Sequence, residues 1–481
     1  MQPETKPVHW GTRNKRLVMG IAVGVSLVAA GAGIVYVSRL APVGAAFTAH
    51  TLCSNVFVSH RDPAAVLAVD LSPDIHPILR LIDVRTDPDA RTVSATLFGF
   101  AERKALHRDG FGCVVLDPRD SGTEVAARRL ETTARSGRLA AARGDLPTAG
   151  LPGPAGDDVD PAALRKAVDW AFSEPDLESR RNTRAVFVVH DGRIVAERYA
   201  EGFTQDTPLI GWSMAKSVVS ALVGILVKEG RLALDAPPPI PEWARADDPR
   251  RKITLAHLLH MESGLDFDED YANPLADVTT MLFGVPNAAE FAVAKTLRAE
   301  PDTRWSYSSG TTNILSHAIR HAVGEADYPD FPRRALFDRI GMGSAVLETD
   351  AMGTFVGSSF MYATARDWAR FGLLYLNDGV WAGERILPEG WVGFSRAPAP
   401  HAPDAKFGAH FWPRIPEEFR CGADLPELPH DAFHAVGYGG QFVTIVPSRR
   451  LVLVRLGFTP RHCGWNHQQF VDLVLRAWPA D

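Results

Sequence analysis

Three residue types that together can break an acyl bond stand at telling positions in this chain: a serine, a lysine and a tyrosine. In LIGWSMAKSVVSALVGILVKEGRL, residues 209–232, Ser213 opens an apolar helical pattern and Lys216 follows three positions later. Residues three apart on a helix share a face, with Cβ atoms roughly 5–6 Å apart, so the hydroxyl comes within reach of the amine. Serine is a weak nucleophile unless a base stands beside it. A lysine pressed among Trp212, Met214, Val218 and Val219 is pushed toward its neutral form by desolvation and can serve as that base. The helix N-terminus adds an oriented N–H and a favourable field for a developing oxyanion. In the competing reading Ser213 merely caps the helix and Lys216 reaches out to solvent. S-x-x-K alone does not separate the two.

Two further stretches bear on the choice. RWSYSSGTTNILSHAIRHAVG sets Tyr307 in a short polar turn before a helix whose start is marked by Ser308, Ser309 and Gly310. A tyrosine hydroxyl buried there needs a partner; aimed at the Ser–Lys pair, it could carry a proton to a leaving group. HAVGYGGQ, residues 434–441, reads as a glycine-rich strand. Gly437, Gly439 and Gly440 would let a substrate lie along the backbone as an added strand and would open N–H groups to a carbonyl oxygen, although such glycines can also mark a bulge.

The elements that must position these groups read as α+β. DPAALRKAVDWAFSE is a helix with Asp160 as cap and Pro161 at its first position. TRAVFVVHDGRIVAERYA is a hairpin turning at Asp191-Gly192. FHAVGYGGQFVTIVPSRRLVLVRLGF repeats strand, turn and strand at the far end, and NHQQFVDLVLRAW is an amphipathic helix. One antiparallel sheet built from both ends of the domain, with a helical region between, is the expected architecture.

The start of the chain differs in character. Leu17 to Ser38 is an uncharged apolar run preceded by Arg13, Lys15 and Arg16. Twenty-two residues at 1.5 Å each span about 33 Å, enough for a bilayer core. The run is expected to be a transmembrane anchor over 17–38, with a cleaved signal peptide or a buried helix as alternatives. The flanking charges put residues 1–16 in the cytoplasm and everything after residue 40 on the extracytoplasmic (periplasmic) side of the cell membrane, in a single pass. Residues 48–117 read as a small N-terminal region with two alternating segments. Residues 118–160, rich in Arg, Ala, Gly, Pro and Asp, read as a linker, and 161–481 as the main domain. Four cysteines in an exported chain permit two disulfides, with Cys53–Cys113 and Cys421–Cys463 the favoured pairing of three; free buried thiols are the other reading. A net charge of −6 with interspersed signs, and no basic stripe, argue against nucleic-acid binding. No cysteine or histidine spacing calls for a metal, and His257 and His260 lack the H-E-x-x-H pattern.

Taken together, these stretches resemble the serine β-lactamases and penicillin-recognising hydrolases, and within them the class C-like esterases and the 6-aminohexanoate-oligomer hydrolase branch. The resemblance covers roughly residues 165–480. SMAK stands where that family has S-x-x-K, YSS where it has Y-x-N or Y-x-S, and AVG followed by YGGQ where it has K-T-G or H-x-G. HLLHMESGLDF and the run from GMGSAVLETDA to LPEGW are similar too.

The resemblance implies a β-lactamase/transpeptidase-like fold and an acyl-enzyme mechanism without metal or organic cofactor. Ser213 would be the nucleophile and Lys216 its base. Tyr307 would assist proton transfer, and the Ser213 and Tyr438 N–H groups would form the oxyanion hole. Ser309 replaces the commoner asparagine as a substrate-binding group. Ala435 stands where the family usually offers a lysine or histidine to a substrate carboxylate, while His434 beside it should face the other side of the strand. The expected partner is therefore a small or peptide-like ester or amide. A cell-wall DD-peptidase or β-lactamase, or an inactive membrane-anchored ligand-binding relative, are the alternatives.

Overall fold

A computed structural model describes residues 12–72, 75–116, 159–176, 180–421, 425–459, 461 and 463–478. The expected linker lies outside the described residues except for Val159 and Asp160.

The first helix, α1, runs from Thr12 to Phe57, 46 residues with Pro42 inside. Its apolar side chains are bare as far as Val37, with Val28 at 74% and Ile34 at 70% exposure, and from Leu40 onward most of the helix is buried. One helix among the described residues is thus long and apolar enough to cross a membrane. The expected boundary after Ser38 is not a break. The helix instead continues straight into the folded part of the chain.

Its second half lies against a four-stranded antiparallel meander: β1 (Ile82–Asp87), β2 (Thr92–Leu97), β3 (Phe100–Arg108) and β4 (Gly112–Val115). Ala45, Ala49, Leu52, Val93, Ala95 and Ala105 form the shared core, and a disulfide joins Cys53 to Cys113. The sequence shows two alternating segments here where the structure has four strands. The other face of α1 meets the main domain, where Phe47 meets Phe283 edge-on at 5.3 Å and His50 lies 4.1 Å from the Phe360 ring. Glu348, wholly buried, accepts from Ser54 Oγ (2.8 Å) and the Cys113 N–H (2.7 Å) and pairs with His50 Nε2 (2.9 Å). Asp70 bridges Arg61 (2.7 Å) and Arg184 (2.8 Å). Burial opposes its ionisation, but the two guanidiniums outweigh burial and hold its carboxyl below the usual range.

In the main domain Asp160 caps α2 (Pro161–Phe172), accepting from the Ala162 and Ala163 N–H groups. β5 (Thr183–His190) and β6 (Arg193–Tyr199) form a hairpin whose turn residues, Asp191 and Gly192, both have positive φ (49° and 75°). That is the backbone Asp-Gly favours between twisted strands. β7 (Phe433–Gly437), β8 (Gln441–Val446) and β9 (Leu451–Gly457) complete a five-stranded antiparallel sheet in the order β7-β8-β9-β5-β6. Both ends of the domain supply it, as the two hairpin patterns require. α2 and a last helix, α6 (His467–Leu475), cover one face with Leu164, Val168, Phe470 and Val471.

The other face carries the helical region: α3 (Met214–Lys228), α4 (Ser309–Val323) and α5 (Ala365–Leu376). α3 is buried all round from Met214 to Leu226. A helix without a solvent face belongs in the middle of a core, and α3 sits there with Lys216 near its start.

Candidate active site

A sharp elbow delivers Ser213. Residues Leu209–Ile210 pair with Met361–Ala363, and the Gly211 N–H continues that ladder to the Met361 carbonyl at 2.8 Å. Trp212 then takes a left-handed backbone, φ 47°, a conformation unfavourable for a bulky residue and characteristic of functional turns. Neighbours fix the elbow closely. A Cβ at Gly211 would meet the Trp368 ring at 2.4 Å, and one at Gly437 would meet the Gly211 carbonyl oxygen at 2.1 Å. Ser213 occupies the N-cap position of α3, yet its side chain makes no capping bond. Its oxygen faces Lys216 instead.

Lys216 is 2% exposed, and its Nζ has three partners: Ser213 Oγ at 3.0 Å, Ser309 Oγ at 3.0 Å and the Ser358 carbonyl at 2.9 Å. Burial pulls its pKa down to about 8, and the nearby Glu269 carboxylate partly opposes that fall. The Tyr307 hydroxyl lies beside Ser213, and its proton is held more firmly than in a free phenol, through burial first and then the Glu269 charge. The Tyr307 ring centroid is 5.0 Å from Lys216 Nζ. Thus the alcohol and amine of one helical turn meet the phenol of a distant stretch.

Glu269 and Tyr271 belong to the site and were missed in the sequence. Glu269 accepts from Ser309 twice, from Oγ at 2.5 Å and from the backbone N–H at 2.7 Å. Burial raises its pKa, and the Lys216 charge counters part of the rise. Tyr271 lies near Ser309 as well, while its ring, 44% exposed, stacks on Tyr438 with centroids 6.3 Å apart. The only hint in the sequence is that both lie in DFDEDY, directly after HMESGL. Ser309 itself is fully buried. Its hydroxyl accepts from Lys216 and donates to Glu269.

The third stretch also departs from expectation. Gly437 ends β7, but Gly439 and Gly440 lie in the following turn with φ 72° and 81°. They shape a hairpin, and no strand offers them to a substrate. Arg455 holds this turn from beneath, its Nη1 donating to the Gly439 (2.9 Å) and Gly440 (2.8 Å) carbonyls. The outer edge of β7 is already paired at His434, which exchanges two 2.8 Å hydrogen bonds with Trp412. Beyond it Gly437 is buried against the Gly211 carbonyl, and Tyr438 is exposed. The Tyr438 ring meets Trp212 edge-on at 5.9 Å, which sets residue 438 beside the elbow. Ala435 is fully buried, and His434 turns away to bond Thr444 Oγ1 at 2.8 Å. Trp412, Tyr271 and Tyr438 add aromatic rings around the site, with Tyr307 tilted at 37° to Trp412, centroids 5.6 Å apart.

Cys421 and Cys463 stand as free thiols, contrary to the expected second disulfide. Each sits on a loop in the left-handed region, φ 53° and 62°, and the Cys421 thiol lies beside Cys463, within reach of the Glu418 and Trp465 carbonyls.

The model of the beta-lactamase family matches residues 162–457. This chain belongs to that family. Among relatives of the beta-lactamase-family domain, a 6-aminohexanoate-dimer hydrolase of Paenarthrobacter ureafaciens is 30% identical over 234 residues, 45% of this chain and 59% of the relative. The match thus spans less than two thirds of that hydrolase. A Bacillus anthracis structure provisionally assigned as a 6-aminohexanoate-dimer hydrolase aligns with TM-score 0.51 and 22% identity, over 68% of this chain and 86% of its own. A family VIII carboxylesterase aligns with TM-score 0.51 and 16% identity, over 68% and 98%. At these identities the two structures establish the shared fold.

Proposed function

We propose that the chain is a membrane-anchored serine hydrolase that cleaves an ester or linear amide through an acyl-enzyme on Ser213. The observation that carries this reading is the 3.0 Å contact between Ser213 Oγ and the buried Lys216 Nζ, made by a serine free of any capping role. Neutral Lys216 takes the Ser213 proton as Oγ attacks the substrate carbonyl carbon. The resulting oxyanion is held by the Ser213 and Tyr438 N–H groups. Tyr307, beside Ser213, passes a proton to the departing alcohol or amine as the acyl–oxygen or acyl–nitrogen bond breaks, and the Lys216 ammonium returns a proton to the phenolate, which restores the neutral amine. A water then takes the leaving group's place, and the same groups run the sequence in reverse to free the acid.

The likeness to a 6-aminohexanoate-dimer hydrolase and to a carboxylesterase supports linear amides and esters as the substrate class. Ala435 supplies no cation for a substrate carboxylate, which favours this reading over a DD-peptidase. An N-terminal helix with the length and apolar surface of a membrane span, preceded by basic residues, supports an extracytoplasmic catalytic domain.

A fluorophosphonate probe and a nitrophenyl ester test the proposal. The wild-type chain should be labelled and should show a burst of nitrophenol. Ser213→Ala should do neither. Absence of both in the wild type would replace this reading with that of an inactive ligand-binding relative.

A further inference from the structure

We propose that Glu242, His317 and His321 form a zinc-binding site on the outer side of α4, separate from the Ser213 cleft. The two histidines are four residues apart on α4 and so project from one face of it. Their Nε2 atoms are 3.1 Å apart, and His317 Nε2 lies 3.2 and 3.4 Å from the two carboxylate oxygens of Glu242. One ligating atom from each of the three residues lies within 4.8 Å of the others. Zinc binds imidazole nitrogen and carboxylate oxygen at about 2.0–2.2 Å with tetrahedral geometry, which sets neighbouring ligand atoms about 3.3–3.5 Å apart. The spacings around His317 are close to that before any side chain moves.

A proton serves this arrangement less well than a cation. His317 Nε2 faces the carboxylate on one side and a second imidazole nitrogen on the other, and a single N–H bonds well to only one of them. The other ring nitrogen, Nδ1, is buried without a partner, so the polar contacts of the ring are all on the Nε2 side. A divalent cation at the centre bonds all three groups at once. Two imidazoles with one carboxylate suit zinc, whereas magnesium and calcium prefer oxygen ligands.

Glu242 comes from the turn Pro241–Trp243, which is anchored by buried Trp243 donating to the Val293 carbonyl at 3.0 Å. The ion would therefore clamp that turn to α4. Ser309 begins α4 eight residues before His317, about 12 Å along the axis, so the clamp is structural. It departs from the sequence reading, which assigned no metal. HAIRH lacks a glutamate of its own, and the carboxylate arrives from far upstream.

The test uses the full-length, tag-free chain in detergent micelles, stripped with chelator and titrated with zinc by calorimetry and with cobalt by visible absorption. One zinc ion per chain, a tetrahedral cobalt spectrum and a melting temperature raised by several degrees under excess zinc are expected. His321 is exposed, so His321→Ala should fold. It should weaken binding at least about tenfold and remove the thermal gain, with fluorophosphonate labelling unchanged. Glu242→Gln should also weaken binding. A wild type that takes up no zinc, or one whose affinity is unchanged in His321→Ala, would overturn the proposal. Binding lost in His401→Ala instead would put the ion at Glu262, Asp302 and His401, the other cluster of this kind among the described residues.

Discussion

Ser309 donates its hydroxyl hydrogen to Glu269 across 2.5 Å, and that bond fixes the direction of the next one. With its hydrogen given to the carboxylate, Ser309 can only accept from Lys216, and the Ser358 carbonyl can only accept as well. Two N–H bonds of Lys216 are thereby assigned. Ser213 is the one partner of Nζ that can either accept or donate, so the lone pair of a neutral amine comes to point at the nucleophile. Glu269 thus orients the base through an intermediate residue and is a positioning group.

The rate should therefore follow the ionisation of Lys216. kcat/KM for an ester should rise with pH through an acid limb centred near 8, the pKa that burial imposes on the free enzyme. Glu269 raises that pKa, so Glu269→Gln should move the limb to lower pH while kcat falls roughly tenfold or more as the amine loses its orientation. A fall in kcat with the limb unmoved would mean that Glu269 acts only as packing.

The same ionisation should appear in stability. Lys216 has a native pKa near 8 against an ordinary value of 10.5, so between those limits the unfolded chain binds more protons than the native one. Stability from this group therefore rises with pH across that window and is lowest below it. Thermal melts from pH 7.5 to 10 should show this rise in the wild type relative to Lys216→Met. Parallel curves for the two proteins would contradict the depressed pKa.

Elements with a local cause could be read directly from the sequence. Asp160-Pro161 starts a helix and Asp191-Gly192 turns a hairpin because each acts on its own backbone, and the S-x-x-K spacing is likewise complete within one helical turn. What was missed depends on distant partners. Glu269 sits in an acidic loop that looks solvated, and only folding brings it onto Ser309, forty residues later. Gly439 and Gly440 fit strand and turn alike by residue type; their positive φ comes from the hairpin and the Arg455 guanidinium beneath it. The uncharged apolar run ends at Ser38, and Pro42 follows four residues later. The helix continues because its next turns are buried between the meander and Phe283.

Gly437 is a position where one methyl group should matter. Its Cβ would fall 2.1 Å from the Gly211 oxygen, main chain that cannot swing aside. Gly437→Ala must push β7 off the elbow, costing about 1–3 kcal/mol by overpacking and moving the Tyr438 N–H relative to Ser213. kcat should drop by two orders of magnitude or so if that N–H is half of the oxyanion hole, with KM changing less. An active Gly437→Ala enzyme with an unchanged melting temperature would show that the contact yields freely.

The brace between α1 and the meander should be redox-dependent, whereas the Cys421 region should not. Cys53 and Cys113 are fully buried and 60 residues apart in sequence, and a closed loop of that length is worth about 4 kcal/mol in the chain-entropy model. Cys53→Ala with Cys113→Ala should lower the melting temperature by many degrees. Because Phe47 and His50 on α1 meet Phe283 and Phe360, and Phe360 meets Trp212 at 6.3 Å, ester hydrolysis in that variant should fail at a lower temperature too. Replacing Cys421 and Cys463 by serine removes only free thiols and should leave both temperatures within about 1 °C of the wild type. Differential scanning calorimetry with parallel activity half-lives checks both pairs. A large loss on removing the second pair would mean that those thiols are joined in the working protein.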